Sequence, residues 1–161
     1  MWYNNKMNIK NTKFIDLSNL QLKTFTEQDA SDYCLLNNID SNNIIELTLY
    51  KNQLRDISGI KLFKNLEDLY LHYNEIKDIS ALKDLNNLKS LNINDNEIKD
   101  ISVLKDLKNL KYLDIRNLEL ESNQIQYINS LKNLHWLMCY NAFKNKSVVK
   151  QLNKNIVIEL E

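Results

Sequence analysis

Two histidines, two cysteines and a spread of carboxylates are the chain's whole stock for acid–base, nucleophilic or metal chemistry. His72 lies four residues after Asp68 in "DLYLH". At strand period the two side chains fall on one face, with Tyr70 between them. An imidazole beside a carboxylate is the minimum for proton transfer or for one edge of a metal site. Asn94 is the third polar group that a His72–Asp68 site would draw on. The remainder of a catalytic constellation is missing. No H-E-x-x-H, C-x-x-C or glycine-rich phosphate loop occurs, and the chain has one glycine in all. His135 adjoins Trp136 and points away from that face. Cys34 and Cys139 are far apart among apolar neighbours and read as buried free thiols. These residues assign no catalytic role, no metal and no cofactor. A solvated or partner-contacting His72 is the simpler reading.

The elements that carry His72 are repeats. "LEDLYLHYNEIKDISALKDLNN" (66–87) is followed by "LKSLNINDNEIKDISVLKDLKN" (88–109), and 44–65 keeps the same frame. The frame is L-x-x-L-x-L-x-x-N-x-I-x-D-I-S-x-L-K-x-L-x-N. A longer unit covers 110–133, a fifth starts at Leu134 and decays near Ala142, and a partial one runs from Lys13 to Leu22. The L-x-L step is strand period, so both leucines face one way. A strand this short gains stability only by pairing with the next unit's strand, which gives a parallel sheet built by stacking.

Asparagine replaces the missing glycine and proline as turn residue. Asn52, Asn74 and Asn96 follow the strands, where their amides can bond the backbone of adjacent units. Ser58, Ser80 and Ser102 are placed as N-caps of short 3₁₀ or helical turns. Asn65, Asn87, Asn109 and Asn133 close the units, where a left-handed cap is expected. The 110–133 unit departs from the frame. Leu118 stands at the ladder position, in "YLDIRNLEL", and "FIDLSNLQL" near the N-terminus has the same form. Both match a second style of repeat. The two extra residues fall around Glu121–Gln124, as a surface bulge or as a loop that meets a partner.

This pattern resembles the leucine-rich repeat family, in the 22-residue form found in internalins and in the phosphatase regulator SDS22. The residues that carry the resemblance are Leu47, Leu49, Asn52, Leu54 and Ile57, with their counterparts one and two units on. The resemblance implies an α/β repeat: a right-handed solenoid with a parallel concave sheet, a short 3₁₀ or helical convex side and a helical N-terminal cap. It also implies that side chains between the strand leucines form a concave, partner-binding face.

The frame sorts that face into columns. Glu46, Asp68, Ser90, Tyr112 and Trp136 form the first; Thr48, Tyr70, Asn92, Asp114 and Met138 the second. Tyr50, His72, Asn94, Arg116 and Tyr140 form the third; Lys51, Tyr73, Asp95, Asn117 and Asn141 the fourth. Five of the chain's eight tyrosines fall here, with Trp136. Tyr, Trp and Arg dominate binding hot spots because each buries much area and keeps a polar handle. The candidate contacts are therefore Tyr50, Asp68, Tyr70, His72, Tyr73, Tyr112, Asp114, Arg116, Trp136, Met138 and Tyr140. Tyr70, Tyr112, Trp136 and Tyr140 are expected to form one continuous patch, with Asp68, Asp114 and Arg116 adding directional polar contacts. Aromatic residues are also good strand formers, so plain cross-strand packing is the competing explanation.

Composition agrees with a protein ligand over other partners. The chain has 161 residues, 43% hydrophobic and 26% charged, with 21 basic and 21 acidic side chains. That balance gives no electrostatic drive toward nucleic acid or an anionic membrane. Stacking of single strands on the tyrosines would need a basic groove, whereas Lys51 and Arg116 are outnumbered by Glu46, Asp68, Asp95 and Asp114. No apolar run approaches the roughly 18 residues of a membrane span. "MWYNNKMNIK" lacks the apolar run of a signal peptide, so a cytoplasmic location is expected.

The expected organisation is one domain: an N-terminal cap with a partial repeat and a helix (1–43), repeats (44–140) and a C-terminal cap (141–161). "TEQDASDYCLLNN" reads as a helix capped by Thr26 and Asp29, with Tyr33, Cys34 and Leu36 turned to the first repeat. "NKSVVKQLN" reads as helical and "NIVIELE" as a closing strand. The function expected is non-catalytic protein binding on the concave face by a monomer. The alternative is a scaffold or self-associating repeat with no evolved partner there.

Overall fold

A computed structural model describes residues 11–159. Seven three-residue strands form one parallel sheet in strict chain order. They are β1 (Phe14–Asp16), β2 (Glu46–Thr48), β3 (Asp68–Tyr70), β4 (Ser90–Asn92), β5 (Tyr112–Asp114), β6 (Trp136–Met138) and β7 (Val157–Glu159). The register stacks Ile15, Leu47, Leu69, Leu91, Leu113, Leu137 and Ile158 in one row. A second row, Leu49, Leu71, Ile93, Ile115 and Cys139, lies just beyond the strands and is also buried. Cys139 thus sits where the frame puts leucine or isoleucine. Burial pushes its thiol up to about 11, and both cysteines are free and buried.

The ladder asparagines behave as the frame demands. Asn74 Nδ2 donates to the Leu71 carbonyl in its own repeat (2.9 Å) and to the Leu49 carbonyl in the preceding one (3.0 Å). Its Oδ1 accepts from Leu54 N–H at 3.0 Å. Asn96 repeats the set with Ile93, Leu71 and Ile76. The two carbonyls bonded by Asn74 have other donors, Asn52 for Leu49 and Asn96 for Leu71. Asn74→Ala therefore strands one buried donor, Leu54 N–H. The expected loss is about 1–3 kcal/mol, read as a lower urea midpoint.

Two local expectations change. The left-handed residues are not the unit-closing asparagines but Lys51, Tyr73, Asp95, Asn117 and Asn141, with φ between 50° and 60°. They precede the ladder position, where the chain must turn sharply off the sheet. The closing asparagines instead form a second ladder. Asn65, Asn109 and Asn133 donate to the carbonyls of Asn42, Asn86 and Lys108, at 2.9, 2.8 and 2.8 Å. Ser58, Ser80 and Ser102 are also not N-caps. Each is the first residue of a 3₁₀ turn (Ser58–Leu62, Ser80–Leu82, Ser102–Asp106). Its N–H donates to the carboxylate of Asp56, Asp78 or Asp100 two residues earlier, at 2.7–2.8 Å. An aspartate Asx-type turn does what a serine cap would have done.

The second repeat style is real in the backbone. Asn19 and Gln21 are both left-handed, as are Asn117 and Glu119 at the matching positions. Two left-handed residues flank Leu118, which is turned fully into the core. The extra residues of this unit form neither a bulge nor a free loop. They make a 3₁₀ turn, Ser122–Gln124, leading into α2 (Ile125–Asn129). Gln124 Oε1 accepts from Ile101 N–H at 2.9 Å and ties the turn to the preceding repeat.

The ends are closed by different means. α1 (Glu27–Asn37) carries the capping box of Thr26 and Asp29. Its Ala30 and Cys34 are buried and Tyr33 packs against the core, but Leu36 is 73% exposed, contrary to expectation. At helical spacing Ala30 and Cys34 share a stripe that Leu36 leaves. "NKSVVKQLN" forms a 3₁₀ helix at Lys146–Gln151, and β7 adds the closing strand.

Candidate functional site

The sheet's second face, opposite the leucine rows, carries the predicted columns. Register places Glu46, Asp68, Ser90, Tyr112 and Trp136 side by side, and Thr48, Tyr70, Asn92, Asp114 and Met138 beside them. Neighbouring strands stand about 4.8 Å apart, so each column is a continuous row of side chains.

The aromatic residues form separate groups instead of one patch. Tyr70, Tyr112 and Trp136 line a groove of about 320 Å³ with Met138, Asp114, Ser90 and Asn92. The groove exists because β4 contributes the short side chains Ser90 and Asn92 between the large ones of β3 and β5. These two residues were not among the candidates, although the run "SLN" between tyrosine-bearing strands is the signal that marks the depression. Tyr140 lies apart, in a hollow with Phe143, Lys146 and Val149. Lys146 Nζ sits 5.9 Å from the centre of the Tyr140 ring.

A third group surrounds His72. Its ring stacks on Tyr50 with centroids 4.7 Å apart and planes 1° from parallel, and Tyr73 meets its edge at 5.6 Å. Tyr73 holds this place from a left-handed backbone (φ 56°) while 51% exposed. A bulky side chain in that conformation costs on the order of 1–2 kcal/mol, and nothing in the core requires the ring.

The polar candidates divide by availability. Asp114 is buried and fully engaged. It accepts from Arg116 Nη2 at 2.7 Å, Arg116 Nε at 3.0 Å and Asn94 Nδ2 at 2.6 Å. Its role is to hold Arg116 and Asn94, which corrects its assignment as a direct polar contact. Arg116 keeps part of its guanidinium in solvent. Asp68 is half-buried, and no side chain among the described residues pairs with it. Burial chiefly, then the charge of Glu67, raises its carboxyl above the ordinary value.

The His72–Asp68 pair does not form. The carboxylates that act on His72 are Asp114 and Asp95, and burial outweighs them and lowers the imidazole below its ordinary value. His72 Nδ1 and Asn94 Oδ1 are both buried without a hydrogen-bond partner. The stacked imidazole thus has no hydrogen-bonded carboxylate among the described residues. Among the described residues no three His, Cys, Asp or Glu side chains are grouped to hold a metal. No described helix is long and apolar enough to cross a membrane.

Comparison with known proteins agrees with this architecture. The leucine rich repeat model matches residues 64–117, and a model of two such repeats matches residues 42–84. Among solved structures, an internalin (inlF) from Listeria monocytogenes shares 31% identity at a TM-score of 0.65, over 73% of this chain and 34% of that one. Internalin C2 from the same organism shares 23% identity at a TM-score of 0.63, over 92% and 80%. A leucine-rich repeat protein of Leptospira interrogans shares 23% identity at a TM-score of 0.67, over 87% and 35%. The chain thus spans about a third of the length of the first and last of these. No curated protein matches it. The repeated frame, the parallel sheet stacked in chain order, the asparagine ladder and these matches have one explanation: the chain belongs to the leucine-rich repeat family.

Proposed function

We propose that this chain is a non-catalytic protein-binding module whose partner seats on the open, concave face of the sheet. Leucine-rich repeat domains generally mediate protein–protein interaction and are typically not enzymes. One observation carries the placement. Tyr73, Tyr112, Trp136 and Tyr140 are 38–54% exposed on the same face, while the apolar side chains of the other face are almost completely buried. Packing alone does not favour large aromatic rings left half in water, whereas a partner that covers them gains their area.

A capture experiment tests this reading. The immobilised chain is exposed to extract of its source organism beside a Tyr112→Ala, Trp136→Ala double variant. Circular dichroism first confirms that the variant is folded. The expected result is a protein retained by the wild type and lost by the variant. Equal capture by both, or none by either, contradicts the concave assignment and favours a repeat that acts as scaffold.

A further inference from the structure

The open face is electrically unlike the whole chain. Its four columns from β2 to β6 hold four carboxylates, Glu46, Asp68, Asp95 and Asp114, against Lys51 and Arg116. The net is −2, on a chain whose formal charge is zero. Arg116 is already bound to Asp114, so among the described residues of these columns the free cation is Lys51. Lys51 itself leans on the Tyr50 ring, 5.8 Å from its centroid.

The groove sharpens this imbalance. Its lining of Tyr70, Tyr112, Trp136, Ser90, Asn92, Asp114 and Met138 contains no Lys or Arg. Asp68 borders it, since register sets Asp68 directly beside Ser90 and one position past it from Tyr112. Lys89, the cation nearest to Ser90 in sequence, is held by Glu67 at 2.7 Å. Aromatic faces carry negative quadrupole, and a cation over them gains about 0.5–2 kcal/mol, more as water is excluded. Three such rings bordering the short side chains of Ser90 and Asn92, with a carboxylate at the rim that no described side chain pairs, have the composition of a cation cage. The groove volume of about 320 Å³ is ample for one guanidinium and its aliphatic stem.

We propose that this groove is a cation subsite: it takes an arginine side chain of the protein partner, with Tyr70, Tyr112 and Trp136 around the guanidinium and Asp68 at its edge. The inference rests on the protein-binding reading and adds the chemistry of the partner's contact segment. Arginine fits better than lysine because its flat guanidinium stacks on rings and is less strongly hydrated. Asp114 contributes little to the cation, since Arg116 neutralises it.

The test uses short blocked peptides of alternating glycine and arginine, with alternating glycine and glutamate as control. The readout is the indole N–H resonance of Trp136, assigned by comparison with Trp136→Phe. The arginine peptide should shift it saturably and the glutamate peptide should not. Asp68→Asn should weaken the arginine peptide about fivefold, the scale of a partly exposed charge pair. Tyr112→Ala should weaken it about threefold to tenfold, the scale of one lost cation–π face. Equal shifts by both peptides, no shift by either, or shifts that survive both substitutions would overturn the cation assignment. The parent reading fails separately. A captured protein that needs Tyr112 and Trp136 but touches them with an acidic or apolar segment leaves concave binding intact and removes only the arginine.

Discussion

Truncating Leu71 to alanine is expected to lower the unfolding free energy by about 2–5 kcal/mol. Leu71 is fully buried, in the row formed by Leu49, Leu71 and Ile93. Its N–H donates to Asn92 O at 2.8 Å, and its carbonyl accepts from Asn74 and Asn96. The backbone at Leu71 is therefore fastened within its own repeat and to the following one, the adjacent Tyr70 carbonyl accepts from Leu49 N–H of the preceding one at 2.8 Å, and the chain cannot move in to fill the space. A cavity that cannot collapse lies at the costly end of such substitutions. The check is urea denaturation of both proteins, with the midpoint lowered and the slope unchanged. A change below about 0.5 kcal/mol, the range of ordinary surface substitutions, would mean that the leucine rows do not carry the core.

Gly59→Ala is the second large effect, expected to cost about 3 kcal/mol. Gly59 is the chain's only glycine and does not have a left-handed backbone. Its value is the absent side chain. A Cβ there would clash with Thr26 O and stand 2.7 Å from Phe25 O, both main-chain atoms. Gly59 N–H also donates to Phe25 O at 2.7 Å, so the same close approach is a bond. The added methyl pushes away the segment that starts α1, and with it the stacking of Phe25 on Phe63 at 6.3 Å. Hydrogen exchange should show α1 losing protection before the central strands do. Uniform loss along the chain, or no loss, would contradict a cap joined at Gly59.

These two positions also show how far the sequence could be read. Leu71 was legible because the L-x-L step and the 22-residue frame both mark it, and register, core rows and the asparagine ladder came from the same pattern. Gly59 was not. A lone glycine between Ser58 and Ile60 announces a turn, whereas its reason is a backbone some 30 residues earlier that only folding brings near. The closing asparagines were misplaced for a related cause. Asparagine suits a left-handed cap and a carbonyl-bonding ladder equally well, and stacking of units decides for the ladder. Leu36 failed because the apolar residues of α1 mark no single stripe: the buried side is set by Ala30 and Cys34, and Leu35 and Leu36 both stay in water. At the site, the columns were readable from the frame but the relief was not. Depth depends on which neighbours are short, and Ser90 and Asn92 made the groove. Asp114 looked free until folding placed Arg116 and Asn94 on it.

Hydrogen-exchange footprinting of the chain with its captured partner tests concave binding most directly. The account predicts slowed exchange in β3 to β6 and in the turn residues Tyr73, Asp95 and Asn117 that border the open face. The 3₁₀ turns at Ser58–Leu62, Ser80–Leu82 and Ser102–Asp106, on the other side, should exchange as in the free chain. Protection confined to those 3₁₀ turns, with the strands unchanged, would contradict it.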